Sequence, residues 1–205
     1  MEMTCLDLEG ILVPEIWISV AEKTGIEDLR LTTRDEPDYD ALMRRRLGIL
    51  ERHGLGLSDI QDVIGAMEPL EGARDFVSWL RPRFQVVVLS DTFYEFARPL
   101  IERLDWPTLF CNRLRVDGKG RVVGCIMRAP DHKRRAVAAF QGLNYKVFAV
   151  GDSYNDTRML EQADRGALFR APDAVVREFP QHPNFQTYDE LKSALLEAMD
   201  AWRES

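Results

Sequence analysis

The 205 residues carry a net charge of −7 at neutral pH, with 45% apolar and 30% charged side chains, an acidic balance that excludes the clustered basic face of a nucleic-acid binder. No apolar run approaches the roughly 20 residues of a membrane span, and the first residues lack the basic stretch and small-residue cleavage site of a secretory leader, so a cytoplasmic location is expected. The length suits one α/β domain with an insertion.

The three cysteines, Cys5, Cys111 and Cys125, form no Cys-x-x-Cys pair, so reduced thiols are expected rather than a zinc site or a disulfide framework. The histidines His53, His132 and His182 are isolated and read as surface residues.

The chain opens with a short, mostly apolar run, Met3 to Leu6, that delivers Asp7 and Glu9 and then Gly10. It reads as a buried strand carrying acids at its carboxyl end, where open parallel sheets place reactive groups. On a strand, Asp7 and Glu9 share a face. Pro14 suits a first helical turn, Ile16, Trp17, Val20 and Ala21 keep helical spacing, and Gly25 ends that helix. After an irregular stretch closing at Pro37, Asp38 reads as the N-cap of a helix with Tyr39, Leu42, Met43, Leu47 and Leu50 on one face and Gly54 as its stop. Arg46 falls in the middle of that apolar face, where an arginine must snorkel, pair with an acid or bind an anion. Ser58 opens a shorter helix through Ile60, Val63, Ile64 and Met67, which Pro69 breaks.

A helix through Phe76, Val77 and Leu80 leads to Val86–Leu89, a β-branched run typical of a buried parallel strand that stops at Ser90-Asp91-Thr92. A helix follows through Phe96, Leu100 and Leu104. Residues 109–127 read as a β-hairpin turning at Asp117–Gly120. Lys133 opens a helix containing Val137 and Phe140. Val147–Val150 is another buried strand, running out into Gly151-Asp152-Ser153-Tyr154-Asn155-Asp156 and a helix. Ala167–Phe169, a short helix at Val175, a short strand near Phe185 and a closing helix from about Asp189 complete the chain. Alternating strands and helices predict an α/β fold, a Rossmann-like parallel sheet flanked by helices. The helical stretch interrupting that alternation reads as an insertion over the first strand's carboxyl end.

Three predicted strands thus end in reactive groups at one sheet edge: Asp7 with Glu9, Ser90 with Asp91, and Asp152 with Asn155 and Asp156. Lys133 starts a helix that can face the same edge. Together these four stations suit phosphoryl transfer. Carboxylates from separate strands can hold Mg²⁺, a hard cation wanting oxygen ligands; Mn²⁺ accepts the same set. A lysine, a hydroxyl and backbone N–H groups offset phosphate charge. One acid can attack phosphorus and another can exchange protons with the leaving alcohol and the attacking water.

These motifs resemble those of the haloacid-dehalogenase superfamily of phosphatases: Asp7-Leu8-Glu9-Gly10-Ile11, Ser90-Asp91-Thr92, Lys133, and Gly151-Asp152-Ser153-Tyr154-Asn155-Asp156. The helical insertion resembles the small cap of the phosphoserine phosphatase branch. More narrowly, Val13-Pro14-Glu15-Ile16-Trp17 and Ser90 to Phe96 resemble the bifunctional phosphoserine phosphatase/homoserine phosphotransferase group. The resemblance implies a core of residues 1–13 and 70–205 with a helical cap over 14–69. It implies Asp7 as nucleophile and metal ligand, Glu9 as general acid/base with its backbone carbonyl on the metal, and Asp152 and Asp156 as further metal-site acids around Mg²⁺. It implies that Ser90, Asp91 and Lys133 hold phosphate and that Asn155 contacts substrate or a metal-bound water. In the cap it implies Glu15 for the substrate ammonium and Arg46 for its carboxylate. The implied partners are small molecules, phosphoserine as donor and homoserine as a possible acceptor. The chain departs from most of the branch in carrying Glu9 where Asp is usual. The same chemistry on another small phosphorylated metabolite, and a non-catalytic binding protein of the same fold, are the competing readings.

Overall fold

The computed structural model describes every residue except 33, 34, 37, 38 and 205, with residue 40 described for its backbone alone. Among the described residues one sheet is built from β1 (Glu2–Leu6), β2 (Gln85–Phe93), β3 (Thr108–Val116), β4 (Val122–Ile126), β5 (Lys146–Gly151), β6 (Arg165–Phe169) and β7 (Asn184–Phe185). The strands lie in the order β4-β3-β2-β1-β5-β6-β7. Neighbours run parallel except β3 and β4, which form the predicted antiparallel hairpin. The helices are α1 (Ile16–Thr24), α2 (Tyr39–Arg52), α3 (Leu57–Gly65), α4 (Ala73–Leu80), α5 (Tyr94–Arg103), α6 (His132–Gly142), α7 (Thr157–Gln162), α8 (Asp173–Glu178) and α9 (Tyr188–Arg203).

The central strands bury both faces, which is why they read as apolar runs rather than as alternation. Leu6, Val88, Phe148, Val150 and Phe169 turn toward Phe76, Leu80, Leu191 and Leu195 of α4 and α9. Cys5, Val87, Leu89, Ala149 and Leu168 turn the other way, onto Val137, Met159 and Val175 of α6, α7 and α8. Each large side chain so buried contributes about 1.5–3 kcal/mol.

From β1 the chain first builds outward through β2 and β3, then crosses back to β5 on β1's other side. The strand order therefore reverses between β1 and β5, and a crevice opens there at the carboxyl ends. The residues that follow these two strands are Asp7 and Asp152.

Helices α1, α2 and α3 form the insertion after β1, with Gly25 closing α1 at φ 70°. Pro14 precedes the N-cap Glu15 instead of entering the first turn, because the chain from Leu8 to Val13 is held in a tight loop by Leu12 and Val13 N–H groups on the Leu8 carbonyl. The predicted N-cap Asp38, with Pro37, lies outside the described residues. Helix α3 is capped at Gly56, not opened by Ser58; Asp59 accepts the Gly56 N–H at 2.7 Å. The insertion is bound to the sheet domain through α5. Arg103 donates to the Gly65 and Met67 carbonyls and pairs with Glu68, and Gln61 donates to the Glu95 carbonyl. Trp17, Phe96 and Phe93 pack edge to face in series, at 5.5 and 5.7 Å between ring centres. The hairpin turn joins from the other side, its Gly120 carbonyl accepting the Leu57 N–H.

Two strand readings change. β2 does not stop before Ser90 but runs on to Phe93, with its register against β3 broken between Leu89 and Phe93. The polar residues there stay extended because they find local partners: Thr92 N–H donates to Ser90 Oγ, and the Asp91 carbonyl accepts from Tyr39 and Asn112. β3 is more than one arm of a hairpin; it also pairs in parallel with β2 and widens the sheet. Two histidines read as surface residues are buried, His132 at 6% and His182 at 8% exposure. The loop before β7 tucks His182 against the Gly166 carbonyl.

Candidate active site

Asp7 leaves β1 at its carboxyl end and is 5% exposed. Its Oδ1 lies 2.9 Å from Lys133 Nζ. Lys133 stands in the first turn of α6, and its ammonium also meets Asp156 Oδ1 at 2.8 Å and Asp91 Oδ2 at 3.3 Å. One buried cation thus serves three acids from three separate segments. Burial opposes its charge, but Asp156, Asp7 and Asp91 outweigh it and hold the ammonium well above its usual range. For Asp7 the same upward direction disfavours the charge. Burial, then repulsion from Asp156 and Asp152, push its carboxyl well up despite Lys133.

The loop after β5 is folded around Asp156, whose Oδ2 accepts the backbone N–H groups of Asp152 and Ser153 at 3.1 and 3.2 Å. A Cβ at Gly151 would fall 2.3 Å from Asp156 Cβ, so this inward fold requires glycine there. Gly10 is needed for the same kind of reason: its φ is +77°, and a Cβ on it would sit 2.4 Å from Asp152 Oδ2. Gly10 lets the ends of β1 and β5 approach each other, and Gly151 lets the loop after β5 close on Asp156.

Asp7, Asp152 and Asp156 bring one carboxylate oxygen each within 4.8 Å of one another. Burial and then Asp156 raise the Asp152 carboxyl to about 7. Three crowded hard-oxygen donors with one ammonium among them fit a divalent cation. Adding Mg²⁺ or Mn²⁺ is expected to raise the melting temperature by about 5–10 °C, since a ligand at 100 times its Kd contributes about 2.7 kcal/mol and a chain of this size shifts about 2–4 °C per kcal/mol. Asp152→Asn should abolish most of that shift in a thermal melt; an undiminished shift would place the ion elsewhere.

Glu9 lies beyond the strand, so the alternation expected to align it with Asp7 does not reach it. Its Oε2 accepts the Ile16 N–H at 2.9 Å, at the start of α1. Burial first, then Glu15 beside it, raise its carboxyl to about 8, against the pull of Ile16 N–H and Arg46. Glu15 is exposed and makes no capping hydrogen bond of its own. Arg46 is 6% exposed, so snorkelling is not its solution. Its guanidinium lies 4.6 Å above the Trp17 ring, Nη2 donates to the Leu31 carbonyl at 2.8 Å, and Nε is buried without a partner among the described residues. Burial lowers its pKa to about 10.

These groups line one cavity of about 290 Å³: Asp7, Glu9, Ser90, Asp91, Lys133, Asp152 and Asn155 from the strand ends, Glu15, Trp17, Tyr39 and Arg46 from the insertion. Asp156 lies just behind, completely buried. A larger cleft of about 690 Å³ lies at the opposite sheet edge, by Arg165, His182 and Glu197. It brings together none of the residues predicted to act. Every predicted site residue therefore lines or backs the same cavity. Asn155 reaches it as a donor to Asp91, at 2.8 Å. The sequence reading missed Tyr39, whose hydroxyl donates to the Asp91 carbonyl, and His132, whose Nε2 lies 2.9 Å from Asp91 Oδ1. The only signal for His132 was its place beside Lys133.

A model of the haloacid dehalogenase-like hydrolase family matches residues 14–164. The chain belongs to the haloacid dehalogenase-like hydrolases. Within that family it is 61% identical, over 97% of both chains, to the phosphoserine phosphatase ThrH of Pseudomonas aeruginosa. It is 62% identical to a phosphoserine phosphatase of Pseudomonas syringae pv. tomato, over 97% of this chain and 84% of the relative. Among solved structures it superposes on a phosphoserine phosphatase holding a phospho-aspartyl intermediate analogue, with TM-score 0.74 and 20% identity over 91% of this chain and 93% of the other. That likeness establishes the fold: a mostly parallel sheet wrapped by helices with a helical insertion after β1.

Proposed function

We propose that the chain is a phosphoserine phosphatase that works through an aspartyl phosphate on Asp7 and can pass the phosphoryl group to homoserine as well as to water. The observation that carries the reading is the buried Asp7 paired with Lys133 beside two further acids, lining a cavity that Glu15 and Arg46 also line. The name borne by the relatives that share about three-fifths of the sequence supports the substrate.

In this reading residues 14–69 form a cap over the crevice. Phosphoserine enters with its phosphate toward Lys133 and Ser90, its ammonium toward Glu15 and its carboxylate toward Arg46. An anion beside Arg46 answers a guanidinium whose Nε otherwise has no partner. Asp7 attacks phosphorus in line, the serine oxygen leaves, and Glu9 gives that oxygen a proton. Glu9 suits the task because a carboxyl raised to about 8 holds a proton at neutral pH. It then takes the proton of the water or alcohol that attacks the acyl phosphate, which returns Asp7. Lys133 pulls Asp7 toward its ionised form, against burial and the nearby aspartates, and neutralises phosphate charge throughout. Asp7 and Asp152, with the Glu9 carbonyl and with Asp156 behind, would hold Mg²⁺, which when bound would offset the charge that builds on the phosphoryl oxygens.

The test is phosphate release over a panel of small phosphomonoesters, with and without homoserine. Phosphoserine should lead the panel, and phosphohomoserine should appear when homoserine is added. Another ester leading, with phosphoserine ignored, would keep the chemistry and overturn the substrate. The longer Glu9 shifts the acid relative to water, so Glu9→Asp should lower the ratio of transfer to hydrolysis; an unchanged ratio removes Glu9 as the cause of transfer.

A further inference from the structure

We propose that Asp91 and His132 form a positioning pair that holds the Lys133 ammonium and the Asn155 amide in place over Asp7. The Asp91 carboxylate then serves the reaction through its hydrogen bonds rather than by touching the phosphoryl group. The inference rests on the phosphatase reading above and revises one residue's part in it.

Both carboxylate oxygens of Asp91, and its backbone carbonyl, are already committed. Oδ1 lies 2.9 Å from His132 Nε2. Oδ2 accepts from Asn155 Nδ2 at 2.8 Å and meets Lys133 Nζ at 3.3 Å. The backbone carbonyl accepts the Tyr39 hydroxyl at 3.0 Å and Asn112 Nδ2 at 2.9 Å. Burial pushes this carboxyl up, but Lys133 and His132 outweigh it and keep it ionised. A fixed negative charge repels a phosphate at contact distance, so binding is the task Asp91 suits least. Tying α6 to the loop after β5 is the task its partners describe.

His132 is the other half of the pair. It is buried, and its Nδ1 has no partner among the described residues. An ionised carboxylate only accepts, so the bond to Asp91 is one that Nε2–H donates. A buried ring that leaves one nitrogen unpaired is held by the single bond it makes. The place of that bond matters because α6 begins without a conventional cap. Its N-cap residue, Asp131, has a left-handed backbone at φ 52° and makes no capping hydrogen bond; its carboxylate is taken by Arg134 and Arg158. The Asp91 bond therefore pins the turn that carries Lys133, one residue on.

The test compares His132→Gln, whose amide can still donate to Asp91, with His132→Leu, which fills much of the ring's space without a donor. Phosphoserine and p-nitrophenyl phosphate serve as substrates, orthovanadate as the phosphate mimic, and thermal melts report folding. Removing an outer partner of an active-site group costs about 10- to 100-fold. His132→Leu should lose that much kcat/KM on both esters and bind vanadate more weakly by a similar factor, while His132→Gln stays within about threefold. Parental turnover and vanadate inhibition in His132→Leu would overturn the proposal. So would equal losses in the two variants, which would mark a packing role. A parent protein that hydrolyses neither ester would instead overturn the phosphatase reading itself.

Discussion

Asp7→Asn should abolish phosphate release from every ester while leaving the protein folded. The amide keeps the shape of the side chain and can still meet Lys133, but its nitrogen and carbonyl oxygen are poor nucleophiles and form no stable acyl phosphate. Loss of a covalent nucleophile removes about 10³-fold or more of the rate, and as much as about 10⁶-fold where the group acts as one unit with its neighbours. Folding should survive because the native site works against the ionised form of Asp7: burial and the two nearby aspartates raise its pKa well above the usual carboxylate range. Lys133 loses one ion pair and keeps those with Asp156 and Asp91. Steady-state kinetics beside a thermal melt check both halves. A variant that retains a tenth of the parental rate would mean that Asp7 does not form the covalent bond.

Arg46→Ala should separate substrates rather than stop the chemistry. The guanidinium is the cation nearest the far wall of the cavity, buried, stacked on Trp17 and incompletely bonded. Truncating one partner of a buried charged pair costs about 2–5 kcal/mol, which is about 30- to 4,000-fold. That loss should fall on kcat/KM for phosphoserine, whose carboxylate needs the partner. It should spare p-nitrophenyl phosphate, which has none. Arg46→Lys should recover little, because a point charge neither stacks on the indole nor donates in a fork. Equal losses on both esters would show that Arg46 acts through the packing of α1 on α2, and the amino-acid assignment would fall with it.

How much of this was legible in the chain differs from residue to residue. Asp7 and Asp152 were legible because each ends a buried apolar run, and a parallel sheet collects such ends at one edge. Lys133 was legible as the companion of those acids. Arg46 was legible as a misfit on an apolar helical face. Glu9 was legible as an acid but not in its direction, since Leu8 to Val13 reverse in a loop that no strand periodicity describes. His132 was not legible at all. Beside Lys133, Arg134 and Arg135 it belongs to what reads as a solvated charged run, and only the placement of Asp91 on an irregular extension of β2 draws it inside. That extension was missed for the same reason: polar residues continue a strand only when tertiary partners satisfy them, and here those partners come from α2, β3 and α6.

The central claim is a covalent phosphate on Asp7, and the most direct measurement is to catch it. Protein mixed with ³²P-labelled phosphoserine and a divalent cation is quenched in acid within milliseconds, digested and mapped. The account predicts an acid-stable, base-labile label on the peptide that contains Asp7, absent in Asp7→Asn and chased away by homoserine or by time. Phosphate released at the same rate with no label on that peptide, or with the label on Ser90 or His132, would contradict it.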